Sequence, residues 1–388
     1  MKRNIQRIAL SIALAAAAFP FCAAQEVTRS AQIPGLRPYK VDLEYMPRAE
    51  KDSVRMVAEL WKGYVESFTS SSVDEARRRS FWVDGSPDYL DIRKLGGGTY
   101  ELIAATFSKL PGEEYDNWVE AVLRICVKAV ASGNGGKNNP FRLCNWLDAE
   151  FPSLTKTIFK GIEYYCVPGC GVPKKAASGL ATFVTRFINE YAPEFQGPLR
   201  YVVAPSVDQC ERLSGILFNA YSNPLMSSAS GKNSDRAFYG RTFGSDIVLS
   251  NYWDDRHDVA LLLIKSSWPK ALLMVQEGVA AYYGGYMDLS YSDIKASLRR
   301  YLASKKDLDL SNDDNFYDLS IPVSGEDGVT AAVVPLEGII GAAIVEYTIV
   351  QQGRSKIKNL LGCQNYSDIF KVLGIPSADI NDFIRGIL

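Results

Sequence analysis

The chain has 388 residues, 47% of them apolar, and a formal net charge of −1. This length and composition predict two globular domains with a sizeable core. The near-neutral charge argues against a nucleic-acid-binding protein, which needs a concentrated basic surface. No segment after residue 24 has the roughly 18 uninterrupted apolar residues of a membrane span.

Residues 1–24 have the pattern of a secretory signal peptide. Three basic residues open the segment, residues 8–21 form an apolar stretch too short to cross a membrane, and small residues precede Gln25. Phe21 stands before Cys22 where a lipoprotein signal has a small residue, so cleavage before Gln25 is favoured over a lipid anchor. We therefore expect an exported protein, periplasmic or extracellular.

Residues 25–170 are predicted to form a first domain in which a helix is followed by an antiparallel sheet. Between Asp52 and Phe68, apolar residues recur at the intervals of an amphipathic helix. The period then changes to two, most clearly between Trp118 and Val130, which predicts strands. Further strands are expected over 100–107, 141–147 and 161–167. This order of elements resembles the nuclear-transport-factor-two-like cone fold, in which a curved sheet wraps around a helix.

Six cysteines remain once Cys22 is removed with the signal, and an even number in an exported protein permits disulfides. Cys166 and Cys170 flank a Val-Pro-Gly turn and are the expected local pair. The same spacing can belong to a metal knuckle, but no second pair of ligands lies nearby. Cys126 and Cys144 lie in strand-like segments, where they could be buried thiols.

Residues 171–388 are predicted to form a mainly helical second domain with a small sheet, which makes the whole chain an α+β protein. Strand character returns over 240–250 and leads into a helix that contains His257. The other elements expected here are helices over 173–191, 207–218, 288–316, 336–351, 356–361 and 366–374, a strand over 199–204, and a last helix around Ile380 and Phe383.

The segment between Asp255 and Gly285 contains the residues best suited to bind a metal or to catalyse a reaction. It contains the only histidine of the chain, His257, which is followed by Asp258. Glu277 follows twenty residues after His257, in the sequence Glu-Gly-Val-Ala-Ala-Tyr.

This segment resembles the active-site helix pair of the gluzincin metallopeptidases, and within them the peptidase MA-like group. In that family one helix carries HExxH and a second carries EGxAxY, whose Glu is the third zinc ligand. The resemblance, which extends over residues 173–388, implies that His257 and Glu277 stand at zinc-ligand positions. It also implies that Asp258 replaces the catalytic Glu and that Leu261 replaces the second His.

A zinc site of this family cannot be completed by this chain. In the intact motif, two His side chains four residues apart lie on one helix face and coordinate the same zinc ion. A catalytic zinc needs about three protein ligands. With one His in the chain, the resemblance implies a vestigial zinc site that holds no cofactor. The expected function is that of an inactive peptidase-like protein that binds an extended peptide or another protein.

Two enzymatic alternatives remain open at this point. In the first, His257, Asp258 and Glu277 hold a divalent metal with help from Asp254 or Asp255, and Asp258 is the catalytic base of an active peptidase. That metal is zinc, or calcium or manganese, which carboxylates favour. The second alternative is a cysteine–histidine hydrolase with Cys210 as its nucleophile. Acids at a helix start are also favoured by the helix dipole, with no ligand at all.

Overall fold

The computed structural model describes residues 48–66, 88–109, 117–129, 140–219, 240–286, 289–316, 319–324 and 330–388. Its helices and strands form a mixed α+β architecture, so the expected fold class is confirmed. The expected signal peptide lies outside the described residues. Within them, none of the helices has both the length and the apolar character that a membrane span requires.

The helices of the described residues are α1 (Arg48–Glu66), α2 (Leu147–Glu150), α3 (Lys174–Tyr191), α4 (Val207–Ser214), α5 (Arg256–Ser267), α6 (Leu273–Gly284), α7 (Tyr291–Ser304), α8 (Leu336–Gln352), α9 (Ile357–Leu361), α10 (Tyr366–Leu373) and α11 (Ile380–Gly386). The strands are β1 (Asp88–Gly96), β2 (Thr99–Lys109), β3 (Asn117–Ala129), β4 (Phe141–Asn145), β5 (Thr155–Phe159), β6 (Ile162–Cys166), β7 (Leu199–Val203), β8 (Ile216–Asn219), β9 (Gly240–Phe243), β10 (Ile247–Ser250), β11 (Ser320–Ser324) and β12 (Thr330–Pro335).

The first sheet packs one face against α1. Strands β1 to β4 pair antiparallel in sequence order. Val57 and Trp61 of α1 are buried against Ile92, Leu102 and Ile125 of the sheet. The helix and the alternating strands predicted for this region are confirmed within the described residues, because each buries the side chains that its periodicity places on one face.

The second sheet has the order β5-β6-β7-β10-β9, with parallel pairs in the middle and antiparallel pairs at both ends. The single strand expected over 240–250 is wrong, because the chain turns at Gly244, whose φ is +56°, and forms the β9–β10 hairpin. Strand β10 leads directly to α5. The sheet therefore sets the start of the helix that contains His257.

The helix expected over 207–218 is also too long. Helix α4 ends at Ser214 because Gly215 adopts a left-handed conformation with φ +84°, which favours glycine. The next residues form β8, which pairs with β3 of the first sheet. Each sheet thus takes strands from both sides of residue 170, where the sequence places the domain boundary.

The helix expected over 288–316 ends early, at Ser304. The guanidinium of Arg385 donates to the carbonyl oxygens of Leu302 at 3.0 Å and Leu308 at 2.7 Å. The bond to Leu302 satisfies a carbonyl group at the end of the helix, and the bond to Leu308 fixes the segment that follows it. The remaining helices of the C-terminal part lie close to their predicted positions.

Helices α6 and α8 approach each other at glycine positions. A Cβ atom on Gly341 of α8 would lie 2.1 Å from the carbonyl oxygen of Met274. One on Gly278 of α6 would lie 2.4 Å from the carbonyl carbon of Gly341. The contact is between backbones, so neither position accommodates a side chain unless the helices move apart.

We predict that Gly341→Ala destabilises the protein by about 1–3 kcal/mol, because the added methyl group overpacks the α6–α8 contact. Denaturant unfolding of the purified protein measures the change. The control is Gly386→Ala in α11, where a Cβ meets no atom within 4 Å. That variant should be unchanged or slightly stabilised, since Ala favours a helix more than Gly does. Equal stability of the two variants would contradict the prediction.

Candidate functional site

The start of α5 is fixed by hydrogen bonds to the second sheet. Asp255 caps the helix, since its Oδ1 accepts from the backbone N–H of Asp258 at 3.1 Å. The backbone N–H of Asp255 donates to the hydroxyl of Tyr201 at 3.0 Å, and this hydroxyl donates to the carbonyl of Tyr252 at 2.7 Å. Tyr201 lies on β7 and is fully buried. The capping residue is thus held against the core.

His257 lies between two carboxylates. Its Nε2 is 3.5 Å from Oε2 of Glu277, and its Nδ1 is 3.2 Å from Oδ1 of Asp258. The ring of Tyr286 meets the imidazole edge-on at 4.7 Å between centroids. The structure therefore brings together the three polar residues, His257, Asp258 and Glu277, that the gluzincin resemblance implies. Glu277 is the most exposed of them, with 22% of its side chain accessible.

The residues present do not fit a catalytic zinc ion. Two ligands of one tetrahedral zinc lie about 3.3 Å apart for bonds of about 2.0 Å, so the His257–Glu277 spacing alone is compatible with a shared ion. One turn after His257, however, Leu261 is a buried apolar side chain of the main core. In the described parts of the chain, no three His, Cys, Asp or Glu side chains are grouped to hold a metal. Asp254, which the sequence suggests as a further ligand, forms an ion pair with Arg256 instead, with 2.7 Å between its Oδ2 and Nη2 of Arg256.

Asp255 and Asp258 direct their second carboxylate oxygens to one point on β9. A Cβ on Gly240 would lie 2.2 Å from Oδ2 of Asp258 and 2.6 Å from Oδ2 of Asp255. Both oxygens are buried and accept no hydrogen bond from the described residues, and the same holds for Nε2 of His257. Two buried carboxylate oxygens that meet at one point favour a proton on Asp255.

The protonation of these groups follows from their burial and their neighbours. Burial raises the pKa of Asp255 to about 7, and repulsion from Asp258 acts in the same direction. Burial opposes the charged form of His257, but the carboxylates of Asp258, Glu277 and Asp255 outweigh it and raise the pKa of the imidazole. At neutral pH the site thus holds protons that the same residues would release in an unfolded chain.

In the described part of the chain, no cysteine forms a hydrogen bond with the residues of this site. Cys210 is fully buried in a small core with Leu147 and Leu249, and burial raises the pKa of its thiol to about 12, which does not suit a nucleophile. Cys166 and Cys170 are both free thiols in this structure, and their expected disulfide remains a prediction.

Sequence reasoning missed the part played by Gly240, and treated Asp255 only as an extra ligand or a helix-start acid. The spacing of Asp255 and Asp258, three residues apart before an apolar run, is the signal of a helix cap. It could have located the start of α5. No local pattern predicts that Gly240 lies against this cap, because the contact is made across the sheet.

We predict that Asp255 and His257 make the protein less stable as the pH rises from 5 to 8. Both groups have a raised pKa in the folded state, so folding takes up protons and this contribution to stability is lost at higher pH. Asp255→Asn, which keeps a capping oxygen, should remove about 1–3 kcal/mol of this pH dependence and be more stable than the wild type at pH 8. Denaturant unfolding at pH 5, 6, 7 and 8 measures the slope.

The control for this prediction is Asp379→Asn, at an exposed helix start whose side chain makes no capping hydrogen bond. Its pH dependence should match that of the wild type. A wild-type slope retained in Asp255→Asn would show that Asp255 holds no extra proton in the folded state.

Comparison of the chain with protein-family models, with curated proteins and with solved structures finds no match. The gluzincin resemblance therefore depends on the residues themselves and on the helix pair that carries His257 and Glu277.

Proposed function

We propose that this protein is an exported, peptidase-like protein without peptidase activity, and that it binds an extended polypeptide beside the His257 site. The observation that carries the proposal is the combination of His257 with Glu277 at 3.5 Å and an apolar Leu261 at the position of the second His. This arrangement matches the helix pair of a zinc peptidase but lacks the second His that would help to hold the ion.

The position of Asp258 supports the absence of hydrolysis. A general base must reach the water or group from which it takes a proton. Asp258 is instead 9% exposed, with one carboxylate oxygen against the His257 imidazole and the other against Gly240. It is also shorter than Glu by one methylene, and a misplacement of about 1 Å can cost roughly a hundredfold in rate.

Strand β9 supports the binding of an extended polypeptide. It pairs with β10 on one side, and in the described part of the chain no strand pairs with its other side. Its first residue, Gly240, touches the acids of the site, and Arg241 and Thr242 are half-buried. An edge strand offers backbone N–H and C=O groups to an incoming chain, which is the basis of recognition by strand addition.

We predict that Leu261→His creates a zinc site and that the wild type has none. The new imidazole would lie one turn after His257 on the same helix face, with Glu277 as the third ligand. We expect one zinc per variant chain by metal analysis after dialysis. Zinc at a hundredfold excess over its dissociation constant should then raise the variant's stability by about 2.7 kcal/mol.

The matched control is Leu262→His, which makes the same change at a buried position about 100° further round the helix. It should bind no more zinc than the wild type. Equal zinc binding by both variants would argue against the retained gluzincin frame. Stoichiometric metal in the wild type, lost in His257→Ala, together with chelator-sensitive peptide hydrolysis, would instead establish the metal-dependent peptidase.

The polypeptide-binding half of the proposal has a separate test. We predict that a decapeptide selected from a random library for binding to the purified protein slows hydrogen exchange of the β9 amides by at least tenfold, because strand addition engages them in hydrogen bonds. Strand β5, at the opposite edge of the same sheet, is the internal control and should exchange unchanged. Protection elsewhere without protection of β9 would contradict binding by strand addition.

A further inference from the structure

We propose that Cys126 and Cys144 form a disulfide across strands β3 and β4 when the protein meets a thiol oxidant. The two residues are direct partners in the antiparallel register, Cys126 opposite Cys144. Both are free thiols in this structure. The inference does not depend on any ligand or activity at the His257 site.

The register brings the two side chains to the same face of the sheet. Directly opposite residues of an antiparallel pair have Cα atoms about 4.5–5.5 Å apart and Cβ atoms at a similar separation. A disulfide needs Cα atoms within about 4.4–6.8 Å and Cβ atoms within about 3.5–4.5 Å. The two thiols are not at bonding distance in this structure, so the bond needs a small approach of the two strands at this pair, but no change of strand pairing.

The face that carries the pair is the one turned away from α1. Ile125 and Val127, the chain neighbours of Cys126, are buried against α1, so Cys126 points to the opposite side. There it forms a small buried cluster with Cys144 and Trp146, which the guanidinium of Arg124 covers at 3.7 Å from the ring centroid. Neither sulfur is available to a large partner, which favours pairing between the two cysteines.

The difference in exposure suggests the order of the reaction. Cys144 is 8% exposed and Cys126 is fully buried. The Cys144 thiolate attacks a low-molecular-weight disulfide, which forms a mixed disulfide and releases one thiolate. The Cys126 thiolate then attacks the Cys144 sulfur and releases the second. Two thiols are oxidised, one external disulfide is reduced to two thiols, and the protons pass through solvent.

Burial also determines when the bond can form. It raises the pKa of the Cys126 thiol to about 11 and raises that of Cys144 as well, so few thiolates are present in the folded protein at neutral pH. Oxidation should therefore be fast while the sheet is assembling and slow once it is closed. An exported chain folds in contact with oxidants, which is the situation that favours this cross-link.

The test is disulfide mapping of the full-length mature chain, refolded in a glutathione redox buffer, blocked with an alkylating reagent and digested with trypsin without reduction. The expected product joins the peptides 125–128 and 143–156, which contain one cysteine each. The same digest reports independently on Cys166 and Cys170. Alkylation of both Cys126 and Cys144 in the refolded chain would overturn the proposal.

A second measurement uses stability. The melting temperature of the oxidised chain should fall by about 5 °C or more on addition of a reductant able to reach the bond. Cys126→Ala and Cys144→Ala should abolish this shift. Cys210→Ala and Cys363→Ala, which remove other buried thiols, should retain it. If the first two variants do not fold, the peptide map of the wild-type chain still decides the question.

Discussion

The close approach of three helix backbones at glycine positions is the contact on which the His257 site depends. Gly278 and Gly341 allow α6 and α8 to touch, and a Cβ on Gly284 would lie 2.5 Å from the backbone nitrogen of His257, so α5 and α6 touch as well. Glu277 is adjacent to Gly278 and projects from α6 to the imidazole. A side chain at any of these glycines would push α6 outward and carry the Glu277 carboxylate away from His257. Each glycine weakens its own helix by about 1 kcal/mol relative to Ala, and the close packing offsets that loss.

The acidic side chains that this packing brings together, and their burial, explain why the pKa values of Asp255 and His257 are raised. Asp255, Asp258 and Glu277 surround one imidazole, so the cluster has an excess of negative charge in a largely buried place. Burying a carboxylate is costly, and protonation lowers that cost. The oxygens of Asp255 and Asp258 that meet at Gly240 share this constraint. Asp255 and His257 therefore both hold a proton more tightly in the folded protein than in an unfolded chain.

The sequence predicts those elements whose burial repeats with a regular period. Helices α1 and α3 each have one apolar face, and their ends were predicted to within a few residues. Helices α5, α6 and α8 are buried on nearly every side, so periodicity says little about them, and the His257–Glu277 motif located the first two. The short strand β8 was missed because its pairing partner, β3, lies far away in the sequence. The β9–β10 hairpin was predicted as one strand because only the turn at Gly244 separates its two halves. The burial of Asp255 was missed for a related reason, since an acid before a helix ordinarily stays in solvent.

The two sheets also connect the N-terminal part of the chain to the site through strand pairing and side-chain packing. Strand β6 pairs in parallel with β7, and the ring of Tyr164 on β6 packs against that of Tyr201 on β7 at 5.5 Å, both fully buried. The Tyr201 hydroxyl receives the hydrogen bond from the backbone of Asp255 and so fixes the start of α5. Residues before the expected boundary at 170 therefore support the helix that presents His257. Strand β8 makes the reverse connection to the first sheet, so neither part can be removed without leaving a paired strand of the other exposed.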